Sequence, residues 1–197
     1  MPVLSLAVRC TVGHEPCSGT RSLAMSASTD RPADGLHRYR ARTRPEWIDY
    51  NGHLNVAYYT LMFDHAVDAF LETAGFTADH RAATGGSIFA AEAHISYARE
   101  LGEGALARVE TQLLAFDAKR VHLFQRMYDD ATGELAATHE VLDLYVDLNV
   151  RRVAEMPAEI ADRLAQLKRQ HDAAAGWPEQ AGRAIRGVPR TGPSTTA

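Results

Sequence analysis

The sequence predicts an α+β fold in which an antiparallel five-stranded sheet wraps around one long central helix. Three observations predict this fold: an alternating segment at residues 37–44, a long segment with one apolar stripe at residues 55–74, and four later strand candidates joined by short loops. One strand, one long helix and then a run of meandering strands is an element order typical of α+β folds.

The first strand is the segment HRYRARTR, in which polar and less polar residues alternate without a break. Tyr39, Ala41 and Thr43 fall on one side of it, and the other side carries Arg38, Arg40, Arg42 and Arg44. A period of two predicts a strand with one exposed face. We expect the arginine row to be solvated rather than to bind an anion.

The central helix is predicted from about Asn55 to Ala74, and Gly75 follows as a natural C-terminal cap. Its apolar positions recur at steps of three and four, as Val56, Tyr59, Phe63, Ala66 and Phe70. The opposite side carries an acidic row that we expect to be exposed, formed by Asp64, Asp68 and Glu72. The width of the apolar stripe predicts that a large surface surrounds the helix.

Four strand candidates follow: SIFAAEAHISYARE, ALARVETQLLAFD, KRVHLFQRMYD and ELAATHEVLDLYVD. In the first of them, one face is expected to carry Phe89, Ala91, Ala93, Ile95 and Tyr97, and the other Ala90, Glu92, His94 and Ser96. Turns near Asp117 and Gly133 join the later strands, and strands joined by short turns pair antiparallel. A closing helix, PAEIADRLAQLKRQH, begins with Pro157 in its first turn.

One domain is expected at residues 36–172, with disordered segments at 1–35 and 173–197, because both flanks are rich in Gly, Pro, Ser and Thr. Both Met1 and Met25 are candidates for the biological start. The free edges of the sheet predict a homodimer or a dimer of dimers.

Composition limits the class of protein. The 197 residues are 46% hydrophobic and 23% charged, as in globular domains. A net charge of -4 argues against a nucleic-acid partner. No apolar run approaches the roughly 18 to 20 residues of a membrane span, and MPVLSLAVRC lacks the basic start of a secretion signal. Cys10 and Cys17 lie outside the expected domain, which excludes a disulfide scaffold and favours a cytoplasmic location.

Several common catalytic motifs are missing from the sequence. There is no G-x-S-x-G elbow, Walker loop, G-x-G-x-x-G, H-E-x-x-H or C-x-x-C pair. His94, His122 and His139 lie on predicted strands, where we expect polar-face residues rather than metal ligands. Neither a metal nor a cofactor is therefore expected, and attention moves to WIDYNGHLN at residues 47–55.

This segment crowds Asp49, Asn51, Gly52, His53 and Asn55 against the start of the central helix. In a structural interpretation, Asp49 or Asn51 caps the helix, which is worth about 1 kcal/mol, and Gly52 serves a turn. In a chemical interpretation, the free N–H groups of the helix N-terminus, with about half a positive charge, receive a carbonyl oxygen.

The donors of such an oxyanion hole would be the amides near Gly52, His53 and Leu54, each worth about 10²- to 10³-fold in rate. Asp49 would act beside them as a nucleophile or as a general base, worth about 10²- to 10⁴-fold. No general acid is evident. A thiolate leaving group, with a pKa near 8.5 by analogy with cysteine, needs none. The group therefore suits thioester hydrolysis better than amide hydrolysis.

The segment EWIDYNGHLNVAYY resembles the opening motif of hotdog-fold acyl-CoA thioesterases of the 4-hydroxybenzoyl-CoA thioesterase type, and the element order is similar over residues 37–160. The resemblance implies a CoA thioester substrate, Asp49 as the catalytic carboxylate, and amides after Gly52 as oxyanion donors. His53 and Asn55 take the motif's His and Asn positions.

A narrower resemblance concerns the acyl group. TQLLAFDAKRVHLF together with WIDYNGHLN is similar to the betainyl-CoA thioesterase domain often fused to carnitine dehydrogenase. Val56 stands where many relatives carry a second Asn, and the dehydrogenase domain is absent from this sequence. Both departures leave the acyl group open.

A betainyl group would favour aromatic faces around its trimethylammonium cation. The candidate wall residues are Trp47, Tyr50, Tyr58, Tyr59, Phe89 and Tyr97; the alternative is that Tyr59, Phe89 and Tyr97 are core residues. Glu92, on the face opposite Phe89, is a candidate for holding the cation or is simply exposed. Candidates for binding the CoA phosphates are Lys119, Arg120 and Arg152.

Two other functions remain open at this point. An enoyl-CoA hydratase of the same fold would use Asp49 and His53 as its acid and base. A non-catalytic acyl-CoA or acyl-carrier binding module would retain its ligand and release no thiol.

Overall fold

The computed structural model describes residues 27–30 and 35–185. The candidate start methionines and both cysteines lie outside these residues. The strands are β1 Ala27–Asp30, β2 His37–Arg42, β3 Gly86–Tyr97, β4 Leu106–Phe116, β5 Arg120–Asp129, β6 Leu135–Asp147 and β7 Arg152–Val153. The helices are α1 Val56–Ala74, α2 Ala78–Thr84 and α3 Ala158–Ala174, with one 3-10 turn at Pro45–Trp47.

All strands pair antiparallel in one sheet of order β1-β2-β4-β5-β6-β3, and β7 adds to β6. The five long strands β2 to β6 are the predicted ones. The chain leaves β2, runs through α1 and α2, and returns at the far edge as β3. The strand that follows the central helix is therefore an edge strand, paired only with β6 among the described residues.

The apolar stripe of α1 forms the centre of the core, as predicted. Met62, Phe63, Ala66 and Phe70 have no exposed surface. The sheet covers them on its concave side, and a second group of apolar residues on α3, formed by Ile160, Leu164 and Leu167, extends the core at one end. The prediction of one helix enclosed by a sheet is confirmed.

The arginine face of β2 forms ion pairs with acidic residues of the neighbouring strands. Arg38 lies 2.9 Å from Glu110. Arg40 lies 3.0 Å from Asp130, to which Arg108 of β4 also donates at 2.6 Å. These carboxylates compensate the charges of Arg38 and Arg40. The two side chains are only 21% and 24% exposed, so this part of the face is less solvated than the sequence predicts.

A β-bulge in β3 changes the predicted faces of that strand. Phe89 pairs opposite Leu144 and Glu92 opposite Leu142, with Ala91 as the extra residue between them. Residues directly opposite share a face of the sheet, and these two leucines alternate with core residues of β6. Phe89 and Glu92 therefore lie on the same outer face, and the expectation that they oppose each other is wrong.

Beyond the bulge the alternation returns to its expected phase. Ala93, Ile95 and Tyr97 pair opposite Val141, His139 and Ala137, which all point toward α1. The inner face of β3 therefore changes from its even-numbered residues before the bulge to its odd-numbered residues after it.

The described structure contains elements that the sequence did not predict. These are the short strands β1 and β7 and the seven-residue helix α2, which Thr77 caps by accepting the His80 N–H at 3.1 Å. The chain after residue 172 also contacts the sheet: Gln112 donates to the Gly176 carbonyl at 3.0 Å. Ordered contacts thus extend past both expected boundaries, at 36 and 172.

The three strand histidines do not converge. His139 points inward, where its Nδ1 lies 2.8 Å from Gln125 Oε1, and burial lowers its pKa to about 4. His122 lies 2.8 Å from Glu140 on the outer face. Within residues 27–30 and 35–185, no cluster of His, Cys, Asp or Glu is arranged to hold a metal ion. No described helix is long and apolar enough to cross a membrane.

Candidate active site

The segment between the 3-10 turn and α1 is a tight loop closed by its own backbone. Ile48 and Leu54 form an isolated antiparallel bridge. The Asp49 N–H donates to the His53 carbonyl at 2.9 Å, and the Gly52 N–H donates to the Asp49 carbonyl at 3.0 Å. Gly52 has a φ of 83°, a left-handed conformation that strongly favours glycine. Residues 49–53 thus form one turn, which we call the Asp49 loop.

The helix cap differs from the one expected. The Asn55 side chain accepts the Ala57 N–H at 3.0 Å and caps α1. Asp49 instead accepts the Asn51 N–H at 2.8 Å through Oδ1. The expectation that Asp49 or Asn51 caps the helix is wrong, because the chain turns back after Gly52 and α1 begins only after Asn55.

The loop after β3 holds the Asp49 loop in place. The Leu54 N–H donates to the Leu101 carbonyl at 2.8 Å, and His53 Nε2 lies 2.9 Å from Glu100 Oε1. The Leu101 N–H in turn donates to the Tyr59 hydroxyl at 3.0 Å. The edge strand and the start of α1 are therefore connected as one unit.

These bonds change the expected set of oxyanion donors. The Gly52 and Leu54 amides already donate to protein carbonyls, so of the three expected donors only that of His53 remains. Val56, the first residue of α1, has no acceptor for its N–H within the helix. Among the described residues, neither the His53 nor the Val56 amide forms a protein hydrogen bond. Val56 was not among the candidate donors predicted from the sequence, although its place as the first helical residue was the available signal.

Asp49 is partly buried and belongs to the same turn as His53. Its Oδ1 is occupied by the Asn51 N–H, whereas Oδ2 has no hydrogen-bond partner among the described residues. A carboxylate held by one oxygen keeps the other available to attack a carbonyl carbon or to take a proton from water. The imidazole of His53 is held by Glu100 on the loop after β3.

A cleft of about 660 Å³ opens beside the start of α1. Leu54, Val56, Tyr59 and Tyr97 line it, together with polar residues of the loop after β3. Asp49 is not among the residues lining the cleft within one chain. The cleft adjoins the end of β3, which is an edge strand in the part of the chain that the structure describes.

Five of the six predicted wall residues lie near the start of α1, in three groups. Tyr59 and Tyr97 contact each other edge to face at 5.3 Å and line the cleft. Trp47 is buried and its ring stacks on the Tyr58 ring with centroids 5.0 Å apart, so it packs in the core next to the Asp49 loop and does not line the cleft. Tyr50 is 97% exposed.

The other two predicted acyl-site residues lie elsewhere. Phe89 and Glu92 are on the outer face of the sheet, away from α1, because of the bulge at Ala91. They cannot line an acyl site between the sheet and α1 of the same chain, and this part of the prediction is corrected.

The predicted CoA-binding cations lie together at one end of the sheet. The Lys119 carbonyl accepts the Tyr145 N–H at 2.8 Å, and Arg152 pairs in register with Asp147. Arg120 forms an ion pair with Asp117 at 2.6 Å, and Lys119 lies 3.8 Å from Glu155. This end adjoins the start of β3, whereas the Asp49 loop adjoins the end of β3.

Comparisons with known proteins agree with this geometry. A family model described as the thioesterase-like superfamily matches residues 43–164. The chain is 39% identical over 154 residues to the betainyl-CoA thioesterase of Pseudomonas aeruginosa, a match covering 78% of this chain and 96% of that protein. It is 42% identical over 141 residues to the L-carnitine dehydrogenase/betainyl-CoA thioesterase of Ruegeria pomeroyi, covering 72% of this chain and 28% of that protein.

A solved structure of a Staphylococcus aureus protein in complex with CoA superposes with a TM-score of 0.73 at 28% identity, covering 78% of this chain and 96% of that one. The chain therefore belongs to the thioesterase-like superfamily, has the hotdog fold and is a hydrolase of acyl-CoA thioesters.

Proposed function

We propose that this thioesterase hydrolyses betainyl-CoA to betaine and CoA, in an active site shared between two copies of the chain. The observation that carries the substrate is the 39% identity to the Pseudomonas aeruginosa betainyl-CoA thioesterase over 96% of that protein. The match of 154 residues covers nearly the whole Pseudomonas protein, so a betainyl-CoA thioesterase does not require a fused dehydrogenase domain.

The Asp49 loop supplies the reacting groups in this proposal. The thioester carbonyl oxygen accepts hydrogen bonds from the His53 and Val56 amides, which stabilise the charge that develops on it. Asp49 either attacks the carbonyl carbon or takes a proton from an attacking water. The carbon–sulfur bond breaks, the CoA thiolate leaves without a general acid, and water supplies the second oxygen of betaine.

The proposed dimer forms through β3. This strand is 12 residues long and has no partner on one side among residues 27–30 and 35–185, and it carries Phe89 and Tyr97 at about half exposure. A long edge strand with exposed apolar residues favours pairing with another strand. A two-fold axis near the middle of β3 would pair residues 86–90 of one copy with residues 93–97 of the other, at a spacing of about 4.8 Å.

This pairing would place opposite ends of the two protomers side by side. The cleft beside Tyr97 of one copy then faces the end of the partner that carries Lys119, Arg120 and Arg152. We propose these residues as ligands of the CoA phosphates in the shared site. Each protomer alone would carry the catalytic loop and the cations at opposite ends of β3.

A thiol-release assay tests the activity. The wild-type protein is expected to release CoA from betainyl-CoA faster than from acetyl-CoA or butyryl-CoA. Asp49→Asn should lower kcat by at least about 10²-fold, because the amide neither attacks the carbonyl nor accepts the proton. Asp162→Asn, the same change at an exposed position of α3, is the matched control and should keep wild-type kcat.

Unchanged kcat in Asp49→Asn, with the circular dichroism spectrum of the wild type, would refute the assignment of Asp49. Hydration of crotonyl-CoA without thiol release would favour the hydratase instead. Light scattering tests the dimer: it should give twice the chain mass of 21.6 kDa, and a monomer would contradict the shared site. A cytoplasmic location remains a prediction from the sequence.

A further inference from the structure

A second cavity, of about 320 Å³, opens between α1, α2 and the first half of β3. Its charged and titratable lining residues are Asp64, Asp68 and Glu72 from α1, His80 and Arg81 from α2, and Asp143 from β6. Four carboxyl groups thus face one guanidinium. The cavity, which we call the acidic cavity, is suited by its charge to a cation.

Asp143 is the buried member of this group. It is 2% exposed, and its Oδ2 has no hydrogen-bond partner among residues 27–30 and 35–185. It pairs opposite Ala90 of β3 and points to the inner face of the sheet. A buried carboxylate without a donor is costly, and charged groups in protein interiors are normally paired. Burial and the negative charges of Asp64 and Asp68 raise the pKa of Asp143 to about 7.

What such a carboxylate lacks is a positive charge beside it. An ammonium or guanidinium ion needs acceptors arranged to receive each N–H. A quaternary ammonium needs only negative charge and room for its methyl groups. The acidic cavity offers both, with Val67, Leu71 and Phe76 as its apolar wall.

The acidic cavity is too far from the catalytic loop of its own chain to hold a small acyl group. Asp64 and Asp68 follow Val56 by eight and twelve residues, which is about 12 and 18 Å along the axis of α1. Pairing of two β3 strands about a two-fold axis removes this separation. The cavity adjoins residues 86–90, which would then lie beside residues 93–97 and the cleft of the partner.

We propose that the acidic cavity of each protomer binds the quaternary ammonium group of an acyl-CoA whose thioester is cleaved beside Asp49 of the other protomer. This inference rests on the proposed function and adds the residues that select the substrate. Selection by the acidic cavity replaces the aromatic cage and Glu92 that the sequence suggested. The bound cation would also give the buried Asp143 carboxylate the partner that it lacks among the described residues.

The test compares betainyl-CoA with tert-butylacetyl-CoA, in which a neutral carbon replaces the nitrogen without a change in shape. The readout is the ratio of kcat/KM for the charged to the neutral substrate. Removal of one carboxylate near the cation, in Asp143→Asn or Asp64→Asn, should lower this ratio about 10- to 100-fold. Asp64→Glu should restore much of the ratio, and the control Asp162→Asn should keep the wild-type ratio.

A ratio that is unchanged in both variants, with hydrolysis intact, overturns the acidic cavity as the cation site and leaves the proposed function standing. If the wild type hydrolyses neither substrate, the proposed function fails. Binding of a quaternary ammonium ion in the acidic cavity is then tested separately by thermal unfolding. Tetramethylammonium chloride should then raise the Tm of the wild type more than sodium chloride does at equal ionic strength. The Tm of Asp143→Asn should be the same in the two salts. Equal Tm values of the wild type in the two salts overturn the inference.

Mixed dimers test the assignment to opposite protomers. Asp49→Asn and Asp64→Lys chains are co-expressed, and their heterodimer is isolated with two affinity tags. If the acidic cavity serves the partner's active site, one site of this heterodimer contains both changes and the other contains neither. It should hydrolyse betainyl-CoA, which neither parent variant does efficiently. A heterodimer as inactive as both parents contradicts the arrangement.

Discussion

Asp143 gives the sharpest prediction about stability, because it is a buried carboxyl group that faces other carboxyl groups. Its pKa is raised from the ordinary 3.8 to about 7, first by burial and then by Asp64 and Asp68. The other charged or titratable residues that line the same cavity are Glu72, His80 and Arg81. We predict that Asp143→Asn stabilises the protein at pH 8 and not at pH 4.

The sign follows from proton linkage. The folded state holds the Asp143 proton more tightly than the unfolded chain, so folding carries no penalty from this group below about pH 4. The penalty grows as the pH rises toward 7 and is constant above it. The difference between a pKa of 3.8 and about 7 corresponds to about 4 kcal/mol, since each pKa unit is worth about 1.4 kcal/mol. The variant amide is also buried and keeps part of a desolvation cost, so about 1 to 3 kcal/mol is expected at pH 8.

Urea unfolding at pH 4, 6 and 8, followed by circular dichroism, measures the effect. The free energy of unfolding of the wild type should fall relative to that of Asp143→Asn between pH 4 and pH 8. Asp162→Asn, at an exposed position, should follow the wild type throughout. If the free energy of unfolding depends on pH in the same way for the wild type and Asp143→Asn, the pKa of Asp143 is not raised by folding and the reasoning is refuted.

Three further changes have predicted outcomes. Asn55→Ala removes the acceptor of the Ala57 N–H and should cost about 1 kcal/mol in urea unfolding, whereas Asn55→Asp should retain the cap. Gly86→Ala would place a Cβ 1.7 Å from the Tyr145 hydroxyl and should destabilise the fold by about 1 to 3 kcal/mol; an unchanged Tm would contradict this contact. Gly52→Ala meets no atom within 4 Å but must adopt a φ of 83°, so it should cost about 1 to 2 kcal/mol through backbone strain alone, as measured by Tm.

The sequence was sufficient for the elements whose periodicity is long and regular. The steps of three and four from Val56 to Phe70 identify α1, and Gly75 marks its end with a φ of 103°. It was insufficient for α2, whose seven residues contain no apolar stripe, although Thr77 and Gly85 are the cap residues of a helix. A helix of this length is defined by its caps and by its neighbours rather than by its own pattern.

The bulge at Ala91 shows a different kind of limit. Residues 88–91 are four consecutive apolar residues, which fit either phase of the alternation, and no Gly or Pro marks the extra residue. The pairing with β6 determines the bulge, so the faces of Phe89 and Glu92 required the three-dimensional register.

The candidate site was predictable where a contiguous motif carries it and not where distant residues meet. Asp49 and the helix start follow from the motif. The Leu54 N–H is not available to a substrate because it donates to the Leu101 carbonyl, and the sequence gives no sign that these two residues meet. Asp143 had a signal that went unused: in EVLDLYVD it has the same phase as the core residues Val141 and Tyr145.

The stacking of Trp47 under the Asp49 loop makes the site optically visible. Trp47 is 5% exposed, and the other tryptophan of the chain, Trp177, is 63% exposed. Iodide therefore quenches the fluorescence of Trp177 selectively and leaves the emission of a single indole that contacts the Tyr58 ring at 5.0 Å. If acyl-CoA binds at the start of α1 as proposed, its arrival is expected to change this intrinsic signal in stopped flow, without a label on protein or substrate.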